Sequence, residues 1–503
     1  MSRAIMIPTG AKGVAARPTV FSGQPRGLPT LFLTEVWERF SYYGMRALLV
    51  LYMTAPATMG GLAFDTAHAA RIYGNYTMAV YLLALPGGFI ADAMLGARRA
   101  IVVGGIMIAL GHYALAVPTI ATFYLGLMLV ALGTGLFKPS ISAMVGLLYG
   151  QGDRRRDAGF LIFYMGVNVG AFIAPLITGV LAQSIWFKGV LAAAGFDPLL
   201  SWHWGFGAAA LGMTLAVISF VVRPGALAGL GDPPQVRIDA AAWRALLVIA
   251  GTAVLLCLIV LSDQAGFQWL RWMFLVAPLA TVGYFVHVGT LRARRLAAVF
   301  VFFIASMLFW AIFEQAGLSI TLFADRLTHN EVGGFAFPSA WYQALNPLFV
   351  IILAPMFAWA WLAMGDRQPS SAVKFVLGLF FLGLSFLLMA PAAALTAAGK
   401  VGPWWLVAMF LLQTIGELCL SPVGLSTMTK LAPPGQTGLM LGIWFLSAAW
   451  GSKLAGIFGA EFEADAGGDL PWFFLRLALL VLAAALTLAV LVPWLKRLTQ
   501  GAD

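Results

Sequence analysis

Long apolar segments alternate with short polar loops along almost the whole chain. From Leu28 onward, apolar runs of about twenty residues recur, and a helix of that length crosses roughly 30 Å of hydrocarbon. We count about fourteen such runs, which predict an all-α polytopic membrane protein. The approximate spans are 28–53, 69–92, 99–117, 120–149, 157–185, 202–222, 240–262, 271–291, 297–324, 336–363, 371–395, 403–430, 436–461 and 471–495.

Charged side chains interrupt the first of these apolar segments. At helical spacing Glu35, Arg39 and Arg46 share one face with Tyr42, and Glu38 lies beside them. A charge near the centre of a bilayer costs roughly 2.5–3.5 kcal/mol on insertion scales. The stripe therefore predicts a helix face that lines a water-filled cavity or the bundle interior and marks a path for substrate or protons.

Basic residues concentrate in alternate loops between the spans. The formal net charge is +10, although only 10% of the residues are charged and 61% are hydrophobic. Loops rich in Lys and Arg face the cytoplasm in membrane proteins, so this charge indicates membrane topology rather than nucleic-acid binding. Both termini are predicted to be cytoplasmic, as are the loops that hold Arg98, Arg99, Arg154, Arg155, Arg156, Arg292, Arg294 and Arg295.

The sequence offers little for cofactor or metal chemistry. Cys257 and Cys419 lie inside apolar segments and the histidines are scattered, which predicts neither a disulfide framework nor a metal site. A Walker-type phosphate loop is absent from the sequence. We therefore expect no cofactor, no nucleotide and no nucleic-acid partner, and an energy source other than ATP.

The spans divide into six, two and six. Residues 1–27 are polar and basic without an apolar core and cleavage site, which predicts a cytoplasmic tail rather than a signal peptide. The loop from Gly87 to Arg99 resembles the cytoplasmic loop of the major facilitator superfamily. We therefore predict a major facilitator fold, with substrate bound at the midplane between two bundles. Its segments are a six-helix bundle at 28–223, a linker with two additional helices at 224–296, a second six-helix bundle at 297–497 and a cytoplasmic tail at 498–503.

Charged positions repeat between the two bundles. The first helix of the first bundle carries Glu35 and Arg39, and its fourth helix carries Lys138. In the second bundle, the first helix carries Glu314 and the fourth carries Glu417. The correspondence predicts that both bundles contribute charges to one cavity.

Four short motifs occur in order along the chain. They are Glu35-x-x-Glu38-Arg39-Phe40 followed by Tyr42-Tyr43-Gly44-Met45-Arg46, then Phe163–Gly170, Gln343–Phe349 and Gly416-Glu417-Leu418. With them the chain resembles the proton-dependent oligopeptide transporters over nearly its whole length, although Val167 stands where that family usually has Ile. Bacterial members of the family also carry an additional helix pair. The resemblance implies a symporter that imports di- and tripeptides with protons by alternating access, in the bacterial cytoplasmic (inner) membrane and as a monomer.

A zwitterionic peptide needs a receptor with two charged poles. Arg39 and Lys138 can meet the peptide carboxylate, the first as a bidentate fork and the second as a point charge. Glu417 can meet the ammonium, and the family resemblance implies similar roles at these positions. The remaining candidates for substrate binding are the amides Asn168 and Asn346 and the tyrosines Tyr42, Tyr43 and Tyr81.

Proton coupling is assigned to carboxylates, because the second helix reads Tyr73-Gly74-Asn75-Tyr76 and lacks the histidine of animal relatives. Glu35 or Glu38 is the leading proton acceptor, since protonation beside Arg39 changes an ion pair and biases the conformational equilibrium. Glu314 is the next candidate. We further expect Arg46 and Glu314 to close the outer side, and Lys138 and Glu417 to close the inner side.

Other interpretations of the same residues remain open from the sequence. The charges of the first helix can form a structural ion-pair network, and buried amides commonly join helices. A major facilitator for nitrate, a drug or a sugar would show the same two bundles. An intramembrane enzyme could use paired carboxylates, but no nucleophile, metal cluster or nucleotide loop accompanies them, and we expect no catalytic residues.

Overall fold

The structure is a computed structural model that describes residues 21–150, 153, 155–222, 227, 229–232, 251, 293–431, 437–462 and 469–499. The helix pair predicted at 240–262 and 271–291 lies outside these residues apart from Gly251, and so does Cys257. Arg154 and Arg292 of the predicted cytoplasmic loops also lie outside the described part of the chain. Most of the described residues belong to two helical halves, one within 21–222 (the N-half) and one within 293–499 (the C-half).

Each half consists almost entirely of helices. Those of the N-half are α1 Leu28–Thr54, α2 Thr66–Leu82, α3 Ala84–Ile90, α4 Gly96–Leu115, α5 Ile120–Leu147, α6 Arg156–Gln183, α7 Ile185–Ala193 and α8 Ser201–Val221. Those of the C-half are α9 Ala293–Phe313, α10 Ser319–Arg326, α11 Leu345–Met364, α12 Ser371–Leu395, α13 Trp404–Leu431, α14 Thr437–Gly459 and α15 Leu470–Thr499. Nine helical segments of the described residues are long and apolar enough to cross a membrane. The predicted all-α membrane class is thereby confirmed.

Local sequence explains where several helices begin. The Asp65 carboxylate accepts a hydrogen bond from His68 N at 2.7 Å and caps α2. Thr119 Oγ1 accepts from Thr122 N at 3.1 Å and caps α5 in the same way. Proline occupies the first turn of α1, where its missing N–H is not needed.

Three features differ from the predicted spans. The span predicted at 297–324 is broken, because Glu314–Gly317 form a 3-10 turn between α9 and α10. A π-helical turn at Ala91–Leu95 joins α3 to α4. Helix α7 was not predicted; it follows α6 after Ser184 and begins with the exposed side chains of Ile185 and Trp186.

A short hairpin and a 3-10 turn precede α11. Strands β1 (Glu331–Val332) and β2 (Phe335–Ala336) pair antiparallel, and Ser339–Ala344 form the turn. The sequence predicted a continuous span from residue 336, whereas α11 begins at Leu345. An apolar turn has the same hydropathy as an apolar helix, so hydropathy did not show where the helix begins.

Helix packing defines the two halves and the seam between them. Within the N-half, α1 packs on α6 and α8, and α4 packs on α5. Within the C-half, α12 packs on α13 and α15. Across the seam, α2 packs on α14 and α6 packs on α11.

Two ends of the bundle are distinguished by their loops. We call the end that holds the start of α1 and the end of α15 the terminal face. We call the opposite end the distal face; it holds the α1–α2, α7–α8 and α10–α11 connections. At the distal face, Trp202 Nε1 donates to Met59 O at 3.0 Å and His329 N donates to Val401 O at 2.8 Å. At the terminal face, Tyr149 Oη donates to Gln24 Oε1 at 2.9 Å.

Candidate substrate and proton site

The charges of α1 form a buried ion-pair cluster. Arg39 Nε lies 3.0 Å from Glu35 Oε1 and 2.5 Å from Glu38 Oε2. The three residues are 6%, 4% and 1% exposed, in that order. Because two carboxylates share one guanidinium at low exposure, the cluster carries an excess negative charge that a proton can neutralise. The predicted stripe thus lies inside the bundle.

The Arg39 cluster has unused hydrogen-bonding capacity. Glu35 Oε2, Glu38 Oε1 and Arg39 Nη2 are buried without a hydrogen-bond partner among the described residues. Buried polar atoms in this state are costly, since each loses its hydration. The arrangement therefore favours binding a proton or a polar ligand group at this position.

A second cluster joins the two halves toward the distal face. Arg46 Nη2 donates to Glu314 Oε2 at 2.6 Å, and Arg46 Nε donates to Tyr73 Oη at 2.6 Å. Tyr73 Oη in turn donates to Glu314 Oε2 at 3.1 Å. The structure thus contains the Arg46–Glu314 pair expected from the sequence. The 3-10 turn that interrupts the α9–α10 span begins at Glu314.

The fourth predicted span of each bundle, which contains α5 in the N-half and α13 in the C-half, supplies one half-buried charge. On α5, Lys138 Nζ lies over the Tyr81 ring, 4.5 Å from its centroid. On α13, Glu417 Oε2 accepts a hydrogen bond from Asn346 Nδ2 at 2.8 Å. The amide nitrogen of Asn346 also donates to Thr414 Oγ1 at 3.0 Å. Both bonds use the nitrogen and orient the amide, so the amide oxygen can accept a hydrogen bond from another partner.

The other predicted residues lie on α1 and α6. Tyr42 and Tyr43 form an edge-to-face pair with centroids 5.3 Å apart, and Arg39 lies over the ring of Tyr42. Tyr43 is half-buried, whereas Tyr42 is 7% exposed. Asn168 Nδ2 donates to Tyr164 O within α6 at 3.0 Å, so its amide oxygen is not used by that bond.

Lys138 and Glu417 form no salt bridge with each other or with other charges in the described part of the chain. By contrast, several hydrogen bonds link the halves toward the distal face. Gln183 Nε2 donates to Ser339 Oγ at 2.8 Å, and Trp341 Nε1 donates to Leu176 O at 3.1 Å. The halves are therefore joined at the distal face, while the pair expected nearer the terminal face is separated.

Sequence reasoning assigned no role to three residues at this seam. Tyr73 bridges Arg46 and Glu314, and Lys453 donates a hydrogen bond to Asn75 across α14 and α2. A polar residue within an apolar span was the available signal. That signal marks a site, but it does not identify a partner on a helix hundreds of residues away.

Two helical halves that meet around buried charges define a membrane transporter of the major facilitator fold. A family model with the description "PTR2: POT family" matches residues 98–466. The chain therefore belongs to the POT family, a family of transporters.

Individual relatives align over nearly the full chain. The peptide transporter YePEPT of Yersinia enterocolitica subsp. palearctica is 40% identical over 516 residues, which cover 96% of this chain and 97% of that protein. A di-/tripeptide transporter of Lactococcus lactis subsp. cremoris is 40% identical over 469 residues, or 88% of this chain and 91% of that protein. The crystal structure of a mutant of peptide transporter POT in complex with alafosfalin matches with a TM-score of 0.85 at 38% identity, covering 96% of this chain and 97% of that one.

Proposed function

We propose that this transporter imports di- and tripeptides together with protons by alternating access. Peptide transport is supported by membership of the POT family and by the names of the relatives, which are called peptide and di-/tripeptide transporters. The observation that carries the substrate class is the separation of charge between the halves. Arg39 and Lys138 belong to the N-half, whereas Glu417 belongs to the C-half and is oriented by Asn346.

A short peptide fits these poles through its two termini. The carboxylate meets Arg39 and Lys138, and the ammonium meets Glu417 and the amide oxygens of Asn168 and Asn346. Tyr42, Tyr43 and Tyr81 offer ring faces and hydroxyls to the variable side chains between the termini. Nitrate and sugars lack one or both charged poles, so this charge arrangement favours a zwitterion.

Proton coupling acts through the α1 carboxylates and Glu314. Protonation of Glu35 or Glu38 weakens its pair with Arg39 and releases the guanidinium for the peptide carboxylate. Protonation of Glu314 removes one charge of the Arg46 pair and so favours opening of the distal face. Opening at the distal face then allows Lys138 and Glu417 to approach and close the terminal face.

The membrane orientation follows from the basic loops. The terminal face is cytoplasmic and the distal face is external, in a bacterial inner membrane, with the single chain as the functional unit. Residues 28–223 and 297–497 are the two rocking bundles, and the segment 224–296 connects them. The bilayer, the peptide and the proton are the only partners the mechanism requires.

Uptake of a labelled dipeptide into proteoliposomes tests this function directly. An imposed proton gradient, inside alkaline, should drive accumulation, and unlabelled di- and tripeptides should compete whereas nitrate and sugars should not. N-acetylation removes the ammonium and leaves Glu417 unpaired, so the acetylated dipeptide should compete at least about tenfold more weakly. Equal competition by free and acetylated peptide would contradict the two-pole site, and accumulation without a gradient would contradict proton coupling.

A further inference from the structure

Helices α2 and α14 cross in backbone contact between the two halves. A Cβ atom added to Gly74 would lie 2.7 Å from Gly456 Cα, and one added to Gly456 would lie 2.7 Å from Ala70 O. Only glycine allows this approach, because any larger side chain would push the helices apart. The crossing therefore fixes how closely the N-half and the C-half meet in the distal part of the molecule.

A polar contact lies directly beside this crossing. Lys453 precedes Gly456 by about one turn of α14, and Asn75 follows Gly74 on α2. Lys453 Nζ donates a hydrogen bond to Asn75 Oδ1, and Asn75 is only 2% exposed. A lysine within a membrane span is costly, so such a position usually serves a function. Neither the peptide poles nor the carboxylates of the proposed proton site account for it.

We propose that Lys453 and Asn75 form a polar latch that stabilises closure of the distal face and separates when that face opens. The inference rests on alternating access, which is part of the proposed function. In a rocking-bundle motion the distal parts of α2 and α14 move apart, because they belong to opposite halves. The latch must then break, whereas contacts within each half persist.

The chemistry of the acceptor explains how this latch differs from the Arg46–Glu314 pair. The Asn75 amide does not titrate, so the latch keeps the same strength whether or not a proton is bound. Glu314 can be neutralised, so its pair with Arg46 weakens on protonation. A carboxylate at position 75 would add an ion pair in the seam, and separating opposite charges there would be harder than separating a charge from an amide. The latch thus favours distal closure by a constant free energy. The Arg46–Glu314 pair adds a second contribution, which changes when Glu314 is protonated.

Distances across the distal face provide the test. Spin labels at Gly189→Cys in α7 and Gly402→Cys before α13 report the separation of the halves, in a background with Cys257 and Cys419 replaced by Ser. A Cβ at either labelled position meets no atom within 4 Å, so the labels should not disturb packing. Pulsed electron spin measurements in nanodiscs without peptide then give the populations of short and long distances.

The latch predicts opposite effects for two kinds of variant. Asn75→Ala and Lys453→Gln should each raise the ratio of open to closed populations by about tenfold, the effect expected for loss of a hydrogen bond from a charged donor. Asn75→Asp should lower that ratio and slow uptake, because an ion pair replaces the amide contact. Combining Asn75→Asp with Lys453→Gln should remove the closing effect, since the added charge loses its partner.

Matched variants distinguish loss of the latch from a general effect of substitution on the protein. Lys453→Arg keeps the charge and the donor and should retain the parent populations. Lys430→Gln removes an exposed charge at the terminal end of α13 and should also leave them unchanged. Unchanged populations in Asn75→Ala and Lys453→Gln, or an Asn75→Asp effect that persists without Lys453, would overturn the proposal. Because the readout needs no peptide, failure of the transport assay would leave this result interpretable.

Discussion

At the residue scale, the decisive property is the sharing of charges. Arg39 serves both Glu35 and Glu38, and all three are at least nine-tenths buried. One cation cannot fully neutralise two carboxylates at low exposure, so the free energy of the cluster depends on whether a proton is bound. Glu314 differs from this cluster, because it is a single carboxylate that accepts hydrogen bonds from one guanidinium, that of Arg46, and from the neutral hydroxyl of Tyr73.

Replacing Glu38 by Gln tests its role as a proton acceptor. The amide mimics the protonated acid, so Glu38→Gln should abolish gradient-driven accumulation of dipeptide while exchange of labelled for unlabelled peptide remains measurable. Exchange persists because it requires only that the loaded carrier reorient. The two activities are compared in the same proteoliposomes, with Glu35→Gln alongside. The exposed Glu331 of β1 supplies the control Glu331→Gln, which should leave both unchanged.

If both α1 variants still concentrate peptide under a proton gradient, the proton acceptor lies elsewhere. Glu314→Gln then becomes the next variant to measure. Its defect should depend on the direction of transport, because it weakens closure of only one face.

Tyr73→Phe tests how the Arg46–Glu314 pair is held. The change removes one hydroxyl, so Arg46 Nε loses its acceptor at 2.6 Å and Glu314 loses a donor. A buried group left unsatisfied costs about 1–3 kcal/mol, so distal closure should weaken and the uptake rate should fall by about tenfold. Tyr113→Phe is the matched control, since its exposed hydroxyl forms a hydrogen bond with Thr214 Oγ1, within the N-half, at 3.1 Å. Equal rates for Tyr73→Phe and the parent would show that the hydroxyl does not support the pair.

At the element scale, helix spacing around the site depends on small residues in the motif of α6. A Cβ at Gly170 would lie 2.2 Å from Val36 O and 2.9 Å from Arg39 Cβ. The α6 backbone therefore lies against α1 beside the Arg39 cluster. The last residue of the motif Phe163–Gly170 must therefore be small for a packing reason.

Gly170→Ala should separate α6 from α1 and misplace Arg39. The added methyl would collide with backbone that cannot rotate away, and overpacking of this kind typically costs about 1–3 kcal/mol. We expect a lower melting temperature in detergent and a loss of uptake. Gly189→Ala in α7 adds the same methyl where no atom lies within 4 Å, and it should change neither property. A Gly170→Ala protein with parental stability and uptake would show that the helices can adjust.

At the scale of the whole molecule, topology and conformation determine how the site is used. The hydrogen bonds between the halves, including Gln183 to Ser339 and Arg46 to Glu314, lie toward the distal face. Lys138 and Glu417 carry opposite charges on opposite halves but are not paired with each other. This arrangement corresponds to a state closed at the distal face.

Cysteine labelling tests the predicted orientation of the molecule. In a background without Cys257 and Cys419, Gly189→Cys lies at the distal face and Gly150→Cys lies at the terminal face, and both positions are exposed. An impermeant maleimide applied to intact cells should label Gly189→Cys and should label Gly150→Cys only after permeabilisation. The positive-inside distribution of Arg and Lys is the reason. The reverse labelling pattern would place the termini outside.

The membrane class, most helix positions and the chemistry of the candidate residues could be predicted from the amino-acid sequence. Hydropathy and motif spacing are local properties, and burial of apolar side chains in lipid follows from them directly. Thus α12 occupies Ser371–Leu395, the span predicted for it, and the charged stripe of α1 faces inward.

The contacts between groups that are distant in the sequence could not be predicted in this way. The broken span at Glu314, the Tyr73 bridge and the contact between Lys453 and Asn75 depend on how the two halves approach each other. A sequence shows that a buried charge needs a partner, but the choice of partner is made by helix crossing and register. Lys138 and Glu417 show the same limit, because they carry opposite charges on opposite halves and yet form no salt bridge with each other in the described part of the chain.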